Sequence, residues 1–118
     1  MDAGDMKKST RAFALALIRL VEGLPKAKAA DVIGRQLLRS GTSVGADYRA
    51  SCRARSKADF VAKMGIVEEE ADESIYWMEP LVDAGLVNSN AVADFFDEAN
   101  QITSIVVSSI KTARGGSR

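Results

Sequence analysis

IGRQLLRSGTSVGADYRASCRARSKADF, residues 33–60, has helix-forming ends and a centre, Arg39-Ser40-Gly41-Thr42-Ser43-Val44-Gly45, that generic helix packing does not require. Each of two glycines in a helix interior costs about 0.5–1 kcal/mol relative to alanine, so a contact must offset them. Ile33, Leu37, Gly41, Val44, Tyr48 and Cys52 each lie three or four residues from the last, which carries one stripe straight through the interruption. The segment therefore reads as one continuous or slightly bent helix starting near Ala29 or Asp31. Gly41, Ser43 and Gly45 form its face for close approach. Two readings of that face stay open: packing against a neighbouring helix, or a specific oligomeric or ligand contact.

The flanking sequence supplies three more helices. Phe13, Leu17, Leu20, Val21 and Leu24 make a stripe that Gly23-Leu24-Pro25 ends. On the other side, Ser56 with Asp59 three residues later is close to a capping box. Phe60, Met64, Val67, Ala71, Ser74, Met78 and Leu81 then alternate gaps of four and three, a heptad-like seam in which small Ala71 and Ser74 leave room for larger side chains of a partner. If the helix continues to Ala84, Pro80 predicts a kink near its end; Gly85 predicts a stop and Asn88-Ser89-Asn90 the cap of a last helix. That helix has a broad apolar face through Val92, Phe95, Phe96, Ala99, Ile102, Val106 and Ile110. Short connections favour antiparallel neighbours, so the expected fold is all-α: one domain over 1–118, an up-down-up-down four-helix bundle with its core at about 10–112 and short frayed termini. The end, Arg114–Arg118, reads as a basic tail.

Composition narrows the function. At 118 residues the chain is of single-domain length, and its 47% hydrophobic and 6% aromatic content suits an aliphatic helical core. The longest apolar run, Ala12–Ile18, is far short of the roughly 20 residues of a membrane span. Met1–Lys8 lacks a secretory h-region. These features predict a soluble, cytoplasmic protein without a membrane partner. There is no histidine, and Cys52 is the single cysteine. Ser-His-Asp and Cys-His units and the common zinc sites are thereby excluded. Glu69, Glu70 and Glu73 lie within one helical turn, but di-iron bundles need Glu-x-x-His pairs. No catalytic residue, metal or cofactor is expected, and the chain reads as a non-enzyme. Cys52, despite basic neighbours, reads as a small buried thiol.

The formal charge is zero, yet it is segregated. Residues 31–63 hold seven Lys and Arg against three Asp, whereas Met64–Asn100 holds ten acidic residues and no Lys or Arg. Arg35, Arg39, Arg49, Arg53 and Arg55 are candidate nucleic-acid or subunit contacts. Glu69, Glu70 and Glu73 are a candidate acidic pairing surface. Arg49 and Arg53, four residues apart, share a helix face, and Arg39, ten positions from Arg49, reads as nearly on it. The arginines either present a basic face to phosphates or are consumed by pairing with the acidic residues, within or between subunits.

The run QLLRSGTSVGADYRAS at Gln36–Ser51, then Ser56 and DFVAKMGIVEEEADESIYWM at Asp59–Met78, closely resembles the bacterial 23S rRNA intervening-sequence proteins. With the LP turn at Leu24-Pro25 the likeness covers about residues 10–112. Asp47 stands where that family often has Asn before the tyrosine, and Met78 where Leu commonly follows the tryptophan. The resemblance implies an antiparallel bundle assembling as a ring-like homopentamer. A related branch contains accessory proteins of diversity-generating retroelements, basic pentamers that bind nucleic acid and assist a reverse transcriptase. The expected function is therefore a non-enzymatic homo-oligomeric scaffold associated with RNA, a ribonucleoprotein or a reverse transcriptase. The alternative is an assembly module that binds no nucleic acid and uses its arginines in subunit pairing.

Overall fold

Four helices make up a computed structural model, which describes residues 1–115: α1 (Ala3–Glu22), α2 (Lys28–Ser51), α3 (Lys57–Asp83) and α4 (Ser89–Ala113). Positions 116–118 of the expected basic tail lie outside the described residues. Each connection is five residues long (23–27, 52–56 and 84–88), too short for anything but antiparallel neighbours. The molecule is rod-like, 47 × 23 × 20 Å, its length set by the 27-residue α3, which spans about 40 Å at 1.5 Å per residue. Helix neighbours run α1, α2, α3, α4 in a ring. The α1–α4 side makes the sparsest contact and is closed mainly by the Phe13 and Phe95 rings, 4.7 Å apart.

The helix ends follow from local chemistry. Ser56 accepts from the Asp59 amide at 3.0 Å. Asp59 does not complete the capping box; its carboxylate accepts from the Arg55 amide instead and pairs with Lys63. Those contacts, Lys63 first, hold Asp59 below its ordinary carboxylate range. Pro80 sits in the last turn of α3. There Gly85, at φ +72°, closes the helix while Leu86 donates to the Leu81 carbonyl and Gly85 to that of Val82. This double bond pattern requires a left-handed residue. Asn88 caps α4 through the Asn90 amide.

The N-terminus departs from expectation. α1 begins at Ala3, where Asp2 and Asp5 form a reciprocal capping box, and Met6 and Thr10 are buried. The long α4 supplies the apolar wall that covers Met6. The seam of α3 is buried as spaced from Met64 to Leu81, with Phe60 at its start half-buried, but Ser74 meets a small residue. The Ser74 hydroxyl lies 3.2 Å from that of Ser40 on α2 and 2.9 Å from the Glu70 carbonyl, one proton serving both acceptors, while Ser40 donates to the Leu37 carbonyl. Cys52 is exposed, because α2 ends at Ser51 and the buried stripe closes on that serine instead.

Candidate nucleic-acid interface

The interruption in α2 is a packing surface within the chain. α2 runs unbroken through it, and a Cβ on Gly41 would lie 2.3 Å from Leu17 Cδ1, while one on Gly45 would lie 3.2 Å from Thr10 Oγ1. Gly34, which the spacing alone did not single out, faces Val21 and Leu24 at 3.3 and 3.2 Å. Ser43 does not belong to this face. It lies between Arg39 and Asp47 on the edge turned to α3, and its hydroxyl donates to the Arg39 carbonyl at 2.6 Å.

Close approach of α1 aligns its first half with the end of α2. One groove, of about 390 Å³, is lined by Lys7, Thr10, Arg11, Ala14, Thr42, Gly45, Ala46 and Arg49. A second, of about 420 Å³, is lined by Lys7, Ala46, Arg49, Ala50, Cys52 and Arg53. Lys7, Ala46 and Arg49 are common to both. Together they form one channel with small residues on its floor and Lys7, Arg11, Arg49 and Arg53 along its sides. All four cations are exposed, none is ion-paired among the described residues, and no carboxylate lines the channel. Such an arrangement concentrates positive potential where a phosphate chain can lie.

The other sequence candidates separate from it. Arg35 pairs with Asp31 of its own helix at 3.1 Å. Arg39 turns to α3, bonding Glu73 with Glu70 at 3.9 Å. Ten residues at 100° per residue leave it about 80° from Arg49, enough to send the two to different neighbours. Arg55 lies in the α2–α3 connection and lines neither groove. Of the acidic trio, Glu70 and Glu73 face Arg39, whereas Glu69 is exposed and unpaired among the described residues. Lys7 and Arg11 escaped sequence reasoning because nothing local marks them. Their signal, a pair four residues apart, gains meaning only once α1 is aligned antiparallel on α2.

Beside Arg39, on the side of α3 that faces α2, Glu70 is pushed up to about 7. Burial is the largest cause, followed by a hydrogen bond with Asp47 and the negative charges of Asp47 and Glu73, partly countered by Arg39. Two carboxyl groups can hydrogen-bond only through a shared proton, and one Glu70 oxygen is buried without a hydrogen-bond partner. Tyr48 is raised to about 12 by burial, then by its hydrogen bond with Cys52 and the charges of Cys52 and Asp2. Among the described residues, no cluster of three His, Cys, Asp or Glu side chains is placed to hold a metal, and no helix is long and apolar enough to cross a membrane.

Comparison with known proteins agrees with the fold. A solved structure of a protein of unknown function from the S23 ribosomal protein family of Bacteroides thetaiotaomicron superposes with a TM-score of 0.87 at 32% identity, covering 94% of this chain and 99% of that one. No curated protein matches. The profile described as 23S rRNA-intervening sequence protein matches residues 4–108. With that match spanning nearly all of the helical rod, the chain belongs to the 23S rRNA-intervening sequence protein family.

Proposed function

We propose that this protein is a non-enzymatic, homo-oligomeric bundle that associates with RNA or a ribonucleoprotein through the α1–α2 channel. The observation that carries this reading is the convergence of Lys7, Arg11, Arg49 and Arg53 on a strip without a single carboxylate, in a chain whose net charge is zero. A neutral protein has no overall field to draw a polyanion, so a local uncompensated strip is what it can offer. The sequence contains no histidine to act as a neutral-pH base. Repetition of the strip around an oligomer multiplies weak sites by effective concentration.

The test is RNA binding by the purified protein as a function of salt. Displacement of counterions by four cations predicts a log–log slope of about −3 to −4. Arg49→Ala with Arg53→Ala is expected to cut that slope by about half, while Arg35→Ala, whose side chain pairs with Asp31, leaves it unchanged. Absence of binding at low ionic strength would remove the nucleic-acid role and leave an assembly module.

A further inference from the structure

The channel offers a ligand almost nothing except cationic heads. Its two floor hydroxyls are already committed: Thr10 donates to the Met6 carbonyl at 2.8 Å and Thr42 to that of Leu38 at 2.7 Å. Gly45, Ala46, Ala14 and Ala50 contribute backbone already in helix, or methyl groups. No aromatic residue, Asn, Gln, Asp or Glu lines it. The exposed aromatic side chain Tyr76 lies on α3, and Tyr48, nearest in sequence, is buried. Proteins that hold single strands do so by stacking bases on aromatic side chains, and base edges are read by side-chain amides and carboxylates as well as cations. Neither an aromatic platform nor a side-chain amide or carboxylate is present here.

The cations stand in two rows. Lys7 and Arg11 lie one turn apart on α1, and Arg49 and Arg53 stand four residues apart on α2 and just past its end. The rows border a strip that runs from Thr42 to Arg53, on the order of 17 Å at 1.5 Å per residue, long enough for a few consecutive phosphates.

We propose that this channel holds one phosphodiester strand lengthwise with its bases turned outward, so that it binds double-stranded RNA by its backbone and does not read base sequence. This rests on the RNA-binding reading above and specifies its ligand. Bases facing solvent can remain paired, and the higher charge density of a duplex then favours it over a single strand of the same length.

The experiment compares, by fluorescence anisotropy with the intact protein, an A-form RNA duplex of about 12 base pairs, longer than the strip, with oligo(U) and oligo(A) of equal length. Expected are tighter binding of the duplex and affinities for oligo(U) and oligo(A) within about threefold, since no aromatic side chain lines the channel to stack on bases. For the duplex, four contacts give a slope near −0.9 per contact, a loss of about 150-fold between 50 and 200 mM salt. Lys7→Ala with Arg11→Ala and Arg49→Ala with Arg53→Ala should each remove about half of that slope, with helix content by circular dichroism confirming that the variants fold. Preferential binding of single strands, or a difference above about tenfold between oligo(U) and oligo(A), overturns the backbone proposal while leaving RNA association intact. Failure of every RNA to bind overturns both.

Discussion

Gly41 and Gly65 both lie inside helices, and their surroundings give them opposite expected responses to alanine. At Gly41 the new methyl would meet three atoms of the Leu17 side chain, a terminal methyl at 2.3 Å and the other methyl and Cγ at 3.2 Å, in a side chain that is fully buried. Overpacking of this kind costs about 1–3 kcal/mol, more than the gain of up to about 1 kcal/mol in helix propensity. Nothing lies within 4 Å of a Cβ at Gly65, so there the propensity gain stands alone. Urea unfolding should therefore find Gly41→Ala destabilised and Gly65→Ala stabilised by about 0.5–1 kcal/mol. The opposite order would contradict the α1–α2 contact.

Glu70 and Asp47 give the same scale a pH dependence. A carboxyl raised from 4.5 to about 7 on folding binds its proton more tightly in the native state. Its contribution is fully present below about pH 4.5 and is lost as pH rises through about 7. At about 1.4 kcal/mol per pKa unit, the loss is on the order of 1–3 kcal/mol. Glu70→Gln should remove this decline. Asp47→Asn should reduce it, since the amide donates to a Glu70 carboxylate without needing a shared proton. Urea midpoints on either side of the interval check both. A decline undiminished in Glu70→Gln would locate its source elsewhere. Asp47 was visible in the sequence as a departure from the family, but its partner was not: which of three consecutive glutamates faces α2 depends on the rotation of α3.

Among the elements, α3 shows which boundaries local chemistry sets. Ser56 and Gly85 were legible as start and stop because a hydroxyl acceptor and a left-handed residue each answer a specific need of a helix end. Gly85→Ala, forced to φ +72°, is expected to lower stability by about 1–2 kcal/mol, read as a shifted thermal midpoint. An unchanged midpoint would mean that α3 ends by other means. The continuity of α2 was legible for a different reason, the unbroken three-and-four register. α1 resisted reading at its start. MDAGDMKK has one large apolar residue well inside it and no periodicity, and only α4, distant in sequence, makes Met6 a core residue. Cys52 failed in the opposite sense, as the stripe spacing continues one step past the point where the helix stops.

At the scale of the whole molecule, the exposed apolar side chains Leu15, Ile18, Ile66 and Tyr76 and the segregation of acidic α3 from the basic channel leave two dissimilar surfaces on one rod. Head-to-tail association would use such a pair, giving a ring where the rotation between copies closes and a filament where it does not. Sedimentation equilibrium should return an integral multiple of 12.6 kDa, five being the multiple that the family resemblance implies. A mass of one chain would dismiss the oligomer while leaving the fold and the channel as described.

The gaps that receive α1 fall at Gly34, Gly41 and Gly45, at unequal intervals of seven and four residues. They work like the cuts of a key. Sliding α1 by one turn could seat Leu17 at Gly45, but Thr10 would then ride onto Tyr48 and Arg49, and Val21 with Leu24 onto Leu37 and Leu38. Only one alignment lets every tooth drop. The distance between Lys7 and Arg49 is thus dictated from beneath by how Thr10, Leu17, Val21 and Leu24 seat on the glycines of α2. Insertions in the connecting loops would leave it intact, whereas a single residue added to α1 between Arg11 and Leu17 would swing Lys7 and Arg11 about 100° around the helix and split the strip in two.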